Sequence, residues 1–260
     1  MKYVALTFDD GRSDNYLLAK RIMDKYQFKG TVYVTTGFVD GTWDGKDILQ
    51  SPTRPLNVEE IIELHKSGWE IGLHGDKHQT QVDDMRIAMN KLESWGIENT
   101  YWSISVPNSD ADNESIESLF ASEYGNNILY VRKGRKCDTS KLLNRLLYAV
   151  YNVFKLKLAY RKFNAENIFP LEKANKKNVP SVVIKFNDTP KMISDLIKRA
   201  PEDSVVVLML HSILPSADCL SEKNPWCWAD NKFEKLCLEL KILEQKGEAV
   251  IAPLARLLKG

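Results

Sequence analysis

Eight short runs rich in β-branched and aromatic residues alternate with helix-like stretches along 260 residues: Tyr3 to Phe8, Thr31 to Thr36, Trp69 to His74, Thr100 to Val106, Ile128 to Arg132, Ser181 to Phe186, Val205 to His211 and Glu248 to Ile251. Few architectures accept that alternation. Several runs, Val205-Val206-Val207-Leu208-Met209-Leu210 above all, are apolar at every position, as strands covered on both faces require. The expectation is an α/β chain with a mainly parallel sheet, and seven or eight β/α units suit a barrel better than an open sheet. Periodicity alone leaves a doubly wound sheet open. Two helix starts are legible: Asn57 with Glu60 three residues on predicts a capping box, and Thr189-Pro190 places a cap before proline at the first helical position. The chain reads as one domain over residues 1–260, with an insertion at about 133–178, its irregular part.

The charge balance, 36 Lys and Arg against 35 Asp and Glu, gives a net charge of +1 and no electrostatic argument for nucleic acid. No run reaches 18 apolar residues, and Tyr3-Val4-Ala5-Leu6 is too short for a secretory leader. The four cysteines, Cys137, Cys219, Cys227 and Cys237, lack zinc-site spacing. They read as free thiols in a reducing, cytoplasmic setting, with a Cys219–Cys227 disulfide as the alternative if the chain is exported.

In β/α barrels the reactive groups sit where strands end at the C-terminal rim. Asp9 and Asp10 end the first run, His74 the third, with His78 four residues on. Pro107 and Asn108 follow the fourth run, Asp188 the sixth, and His211 ends the seventh. Imidazoles at i and i+4 share one face of a helical turn and can hold one metal ion, although four histidines would place some pair at that spacing by chance about one time in twenty. A carboxylate from a neighbouring strand end completes a hydrolytic site for Zn²⁺ or a similar divalent ion, with one coordination position open. Adjacent carboxylates at Asp9 and Asp10 would repel each other unless a cation lies nearby, which again favours a metal. His65 reads as an ordinary residue of an amphipathic helix.

Thr7-Phe8-Asp9-Asp10-Gly11 resembles the first motif of the polysaccharide deacetylase family, carbohydrate esterase family 4, also called the NodB homology domain. His74-Gly75-Asp76-Lys77-His78 is similar to its second motif and Leu208-Met209-Leu210-His211 to its last. The resemblance implies a distorted (β/α)7 barrel of the NodB-like glycoside hydrolase/deacetylase fold that removes an acetyl group from an N-acetylated or O-acetylated sugar or polysaccharide. By position, Asp10, His74 and His78 would hold the divalent metal, Zn²⁺ foremost with Co²⁺ or Ni²⁺ as alternatives. Asp9 would be the general base and His211 the general acid. Two departures stand out. The third motif keeps only proline in Ser105-Val106-Pro107-Asn108, so the arginine that orients the aspartate is missing. Arg12 is the stand-in the sequence offers. The fourth motif, an acidic residue with Trp, is not legible, and Asp188 in Phe186-Asn187-Asp188 is the candidate to orient His211. A backbone N–H near Asn108 could join the metal in stabilising the oxyanion.

The substrate clues are fewer. Trp226 and Trp228 in Asn224-Pro225-Trp226-Cys227-Trp228 could stack on a sugar ring, with core packing the commoner explanation. Trp43, after the second run, is read the same way. The stretch Lys141 to Phe163 has six Lys or Arg, no acid and apolar residues at helical spacing, including Leu143, Leu146, Val150, Val153 and Phe154. It reads first as a barrel-covering helix with a solvated basic face, and second as a peripheral membrane contact at the inner face suited to a lipid-linked sugar. Arg132-Lys133-Gly134-Arg135-Lys136 reads first as a solvated basic loop, and second as a contact for phosphate or nucleic acid. The expected partner is a carbohydrate substrate, with no nucleic acid and the oligomeric state open. Two other readings remain: a metal-dependent amidase on a small cyclic amide or imide, and a catalytically silent carbohydrate-binding protein, suggested by the missing arginine and Trp.

Overall fold

The computed structural model describes residues 1–45, 53–109, 111–134, 142–219 and 225–259. Among them are eleven strands: β1 (Lys2–Phe8), β2 (Thr31–Val34), β3 (Glu70–Leu73), β4 (Trp102–Ser105), β5 (Ile128–Gly134), β6 (Ile168–Pro170), β7 (Val179–Val183), β8 (Ser204–Leu210), β9 (Ser212–Leu214), β10 (Cys227–Ala229) and β11 (Ala249–Ile251). Strands β1, β2, β3, β4, β5, β7 and β8 lie parallel in that order, and β8 pairs back onto β1 to close a seven-stranded barrel. The eight runs legible in the sequence are these seven and β11; the short β6, β9 and β10 carried no comparable signal.

Closure is uneven, which is the distortion. Strand β1 meets β11 along Lys2–Val4 and β2 only at Thr7 and Phe8, so β11 fills the lower part of a splayed seam. Strand β8 meets β7 near Leu208 and Met209 and the antiparallel β6 below, at Ser204 to Val206. Both splays lie at the N-terminal ends of the strands. That end is stoppered by the Leu254–Lys259 helix, whose Leu254, Leu257 and Leu258 join Ala5, Tyr33, Tyr130, Val205 and Val207 in an inner core. The larger outer core takes the alternate residues, such as Val4, Leu6, Phe8, Val206 and Leu208, against the surrounding helices. Buried residues on both parities therefore produce the continuous apolar runs of β1 and β8.

Strand alternation carries the chain from inner core to rim. Inward positions read Ala5, Thr7, Asp9 from β1, and Tyr130, Arg132, Gly134 from β5, so the interior turns polar toward the C-terminal rim. The capping box at Asn57 and Glu60 forms with both reciprocal bonds, and Thr189 caps Pro190–Lys198 through the Met192 N–H, as the sequence predicts. The 133–178 segment is more ordered than its sequence indicates, containing helices Leu142–Phe154 and Lys157–Asn164 before β6. Arg132, Lys133 and Gly134 belong to β5 rather than to a solvated loop: Arg132 is fully buried and Lys133 donates to the Ala111 carbonyl. Arg135, Lys136, Cys137, Lys141 and Asn224 lie outside the described residues. No helix among the described residues is long and apolar enough to cross a membrane.

Candidate functional site

Asp10 follows β1 in a left-handed conformation, φ 80°, which turns its carboxylate toward the loop after β3. There the Asp10 Oδ1 lies 3.6 Å from His74 Nε2 and 3.8 Å from His78 Nε2. These separations exceed a hydrogen bond and suit donors gathered around one ion with bonds of about 2.0–2.2 Å. All three ligand atoms lie within 4.8 Å of one another. His74 Nδ1 sits 2.9 Å from the Ser105 carbonyl. A carbonyl only accepts, so this nitrogen donates, and the lone pair is left on Nε2, facing Asp10. The donor set and its tautomer therefore fit a divalent cation.

The second imidazole is placed by a loop that has few internal options. Gly75 has φ +80°, and a Cβ there would come within 2.3 Å of Asp84 Oδ2. That carboxylate, in the first turn of helix Val82–Ser94, accepts the N–H groups of Asp76, Lys77 and Gln79. His78, itself at φ 57°, is thereby fixed and stacks on Trp43 with ring centroids 6.0 Å apart. Asp76 is tied down by Lys91 at 2.7 Å and by the Thr36 hydroxyl at 2.8 Å. Asp84 was silent in the sequence, because an acid in the first turn of a helix is commonplace.

Asp9 is held from a direction the sequence did not indicate. Arg132 Nη2 meets both its oxygens, at 2.5 and 2.6 Å, and also donates to Ser105 Oγ, which donates on to Asp9 Oδ2 at 3.3 Å. Ser105 of β4 and Arg132 of β5 are direct partners in the strand register. A guanidinium thus reaches Asp9 from the neighbouring strand at the same level, over a serine small enough to let it pass. Below it the Tyr33 ring lies 5.0 Å from the Arg132 guanidinium carbon, and Tyr33 donates to Tyr130, which donates to Glu70. Arg12, the stand-in the sequence offers, does a different task. Its Nη1 pairs with Asp10 Oδ2 at 3.1 Å, and its Nε lies 3.8 Å from Asp14. The like charges of Asp9 and Asp10 are therefore each met by an arginine, so their adjacency is no independent sign of a metal.

The fields follow from these contacts. Burial alone would raise the Asp10 pKa, but His74, His211 and Arg12 hold it far below the usual carboxylate range. Burial lowers His74, and the Asp10 and Asp9 carboxylates with the Ser105 carbonyl more than restore it. His78 is pushed down to about 4 by burial and by the charge of His74. His211 is lowered by burial, with Arg12 and Arg132 adding to it against Asp10 and Asp9.

His211 follows β8, the strand that pairs with β1, and so stands on the rim beside Asp9 and Asp10. Its carbonyl accepts from Asn15 Nδ2, while Asp14 accepts from the Ile213 N–H and from Thr53, so two residues just past β1 anchor the strand end that carries it. Asp188 does not orient it. That carboxylate accepts the Lys185 N–H within its own loop, and its other oxygen and His211 Nδ1 are both buried without a hydrogen bond. Trp228 is 1% exposed and donates to the Asp188 carbonyl, so it is a core residue and makes no sugar contact. Trp226 is half-buried against the His211 ring, centroids 5.3 Å apart. Cys219 and Cys227 are free thiols with sulfurs 2.7 Å apart. Asn108, at φ 53°, lines a cleft of about 400 Å³ together with His78, Gln79, Thr80 and Ser118, so the site opens toward solvent beside the second histidine.

The polysaccharide deacetylase family model matches residues 1–122, which carry Asp9, Asp10, His74 and His78. The likeness in fold extends further. A mutant of a family 4 pseudoenzyme with restored enzymatic activity superimposes over 98% of this chain and 67% of its own, at 12% identity and a TM-score of 0.53. A family 4 acetyl xylan esterase from Clostridium thermocellum, solved with a cobalt ion, matches at 17% identity and a TM-score of 0.49, over 99% of this chain and 90% of that one. A Streptococcus pyogenes deacetylase solved with acetate matches at 22% identity and 0.41, over 50% of this chain and 54% of its own, so this chain spans about half of that protein's length. A search of curated proteins finds no match.

Proposed function

We propose that this chain is a metal-dependent deacetylase acting on an N-acetylated or O-acetylated carbohydrate. The observation that carries the reading is the pairing of two arrangements on one rim: a carboxylate and two imidazoles converging within 4.8 Å, and beside them a separate carboxylate, Asp9, held by Arg132. Asp10, His74 and His78 would hold Zn²⁺, Co²⁺ or Ni²⁺, which supplies Lewis acidity toward water and the acyl oxygen.

The remaining chemistry belongs to the side chains. Amide hydrolysis needs a base for water and an acid for the departing nitrogen. Asp9 takes the proton of the attacking water, since Arg132 and Ser105 fix its oxygens and leave it no freedom to swing onto Asp10's partners. His211 delivers a proton to the leaving group from the end of the adjacent strand, β8. The cleft beside His78 and Asn108 admits a sugar, and Asn108 lies where an amide N–H could meet the acyl oxygen. The case for a silent binding protein rested on a missing arginine and a missing Trp, and of these Arg132 now stands beside Asp9.

Purified protein loaded with Zn²⁺ or Co²⁺ is expected to release acetate from N-acetylglucosamine oligomers or an acetyl ester. Asp9→Asn should abolish release while metal stays bound. Turnover of a cyclic imide without acetate release would replace this reading with the amidase.

A further inference from the structure

Thirteen large apolar side chains are exposed among the described residues, and seven of them fall between 142 and 158: Leu142, Leu143, Leu146, Val153, Phe154, Leu156 and Leu158, each 50–79% exposed. The other six are dispersed over the rest of the chain, which is ordinary for a protein surface. In helix Leu142–Phe154 the exposed ones occupy an arc of about one third of the circumference at 100° per residue. The opposite face, with Leu147, Tyr148 and the buried Tyr151, already packs against the outer core. The helix is therefore apolar on both sides while lying at the surface, and its outer side calls for a cover.

Charge selects among occupants. Residues 142–164 contain Arg145, Lys155, Lys157, Arg161 and Lys162 and no acid. Only Arg161 has a carboxylate partner among the described residues, Asp195. A second copy of the same face would set these cations against each other. An anionic bilayer meets both demands, accepting the leucines and Phe154 below its headgroups and the lysines at its phosphates. The face is also coupled to the rim: Lys185 Nζ lies over the Tyr148 ring at 5.4 Å and over the Trp226 ring at 5.1 Å, and Trp226 packs on His211.

We propose that the outer face of residues 142–162 docks the protein on an anionic membrane surface and so brings the rim to a carbohydrate carried at that surface. The second half of this statement rests on the deacetylase reading; the docking does not. The test is sedimentation with vesicles of phosphatidylcholine containing about one quarter phosphatidylglycerol, and with phosphatidylcholine alone. The wild-type chain should bind the anionic vesicles, and each of Lys155→Gln, Lys157→Gln and Lys162→Gln should weaken binding about fivefold. Leu146→Ser/Val153→Ser/Phe154→Ser should weaken it at least about tenfold with unchanged thermal unfolding, because these side chains make little contact with the core. Acetate release from soluble oligomers should be the same in the triple variant as in wild type. No binding of wild type to anionic vesicles would overturn the proposal, as would equal binding by the triple variant. A wild-type dimer that the triple variant dissolves would assign the face to a second copy. Vesicle binding without hydrolysis of any substrate would uphold the docking and sink the deacetylase.

Discussion

The two halves of the barrel contribute to the rim in different ways. Residues 1–122, with β1 to β4, supply the three candidate donor atoms of Asp10, His74 and His78, and also Asp9, from compact motifs, each within a few residues of a strand end. The second half, from β5 onward, supplies Arg132, His211 and Trp226, spread over nearly a hundred residues. The first half is organised by short loops, and the second by strand register. The difference teaches that ligands for one ion must be close in space with fixed tautomers, which tight loops provide, whereas a buried charge partner needs only to reach.

Removing a ligand should have the largest effect and would test whether the first half alone binds metal. His74→Ala or Asp10→Asn is expected to lose stoichiometric Zn²⁺ by metal analysis and to reduce acetate release by about three orders of magnitude or more. Arg132→Gln leaves Asp9 buried without its cation, and is expected to reduce kcat about 100-fold while metal content is retained. Because that variant is also destabilised, Arg132→Lys and the exchange Ser105→Arg/Arg132→Ser are the sharper probes. The exchange returns the guanidinium to β4 and should recover activity to within about tenfold of wild type. If it recovers nothing while folding normally, the two strands are not interchangeable as carriers. Asp84→Ala frees three loop amides and should weaken Zn²⁺ affinity about tenfold, measured by competition with a chelator.

The smallest effect concerns the second half alone. Burial raises the Asp188 pKa to about 7 from 3.8. The folded state therefore holds this proton where the unfolded chain has lost it, and the stabilisation is full below about pH 4 and gone as pH rises through about 7. Wild type should lose a few degrees in Tm relative to Asp188→Asn between pH 4 and pH 8. A parallel Tm profile for the two proteins would show that Asp188 does not titrate in that window.

Much of the architecture was legible because strands buried on both faces leave continuous apolar runs, and seven of those runs closed the barrel. The convergence of Asp10, His74 and His78 was legible because the two histidines are four residues apart and Asp10 sits at a strand end. Arg132 was not, since its meaning comes from register: in sequence it is the first member of a basic cluster, and only pairing with Ser105 turns it inward. One hint existed in the alternation Tyr130, Arg132, Gly134, which puts a cation at an inward position. Asp188 and Trp228 misled for the converse reason. Their places after the sixth and the seventh run are right for a rim, but their side chains turn into the protein beneath it. The outward face of helix Leu142–Phe154 was hidden because periodicity tells that a helix has an apolar stripe and not which way the stripe points.

The placement of one guanidinium on the adjacent rung has a consequence for how related chains are surveyed. A scan that demands each part at its usual place in the string would score this protein as lacking a component that it holds, and would file it among the inactive. Counting by rung rather than by position would sort such chains differently, and would expose the truly vacant ones as those with no cation on either neighbour.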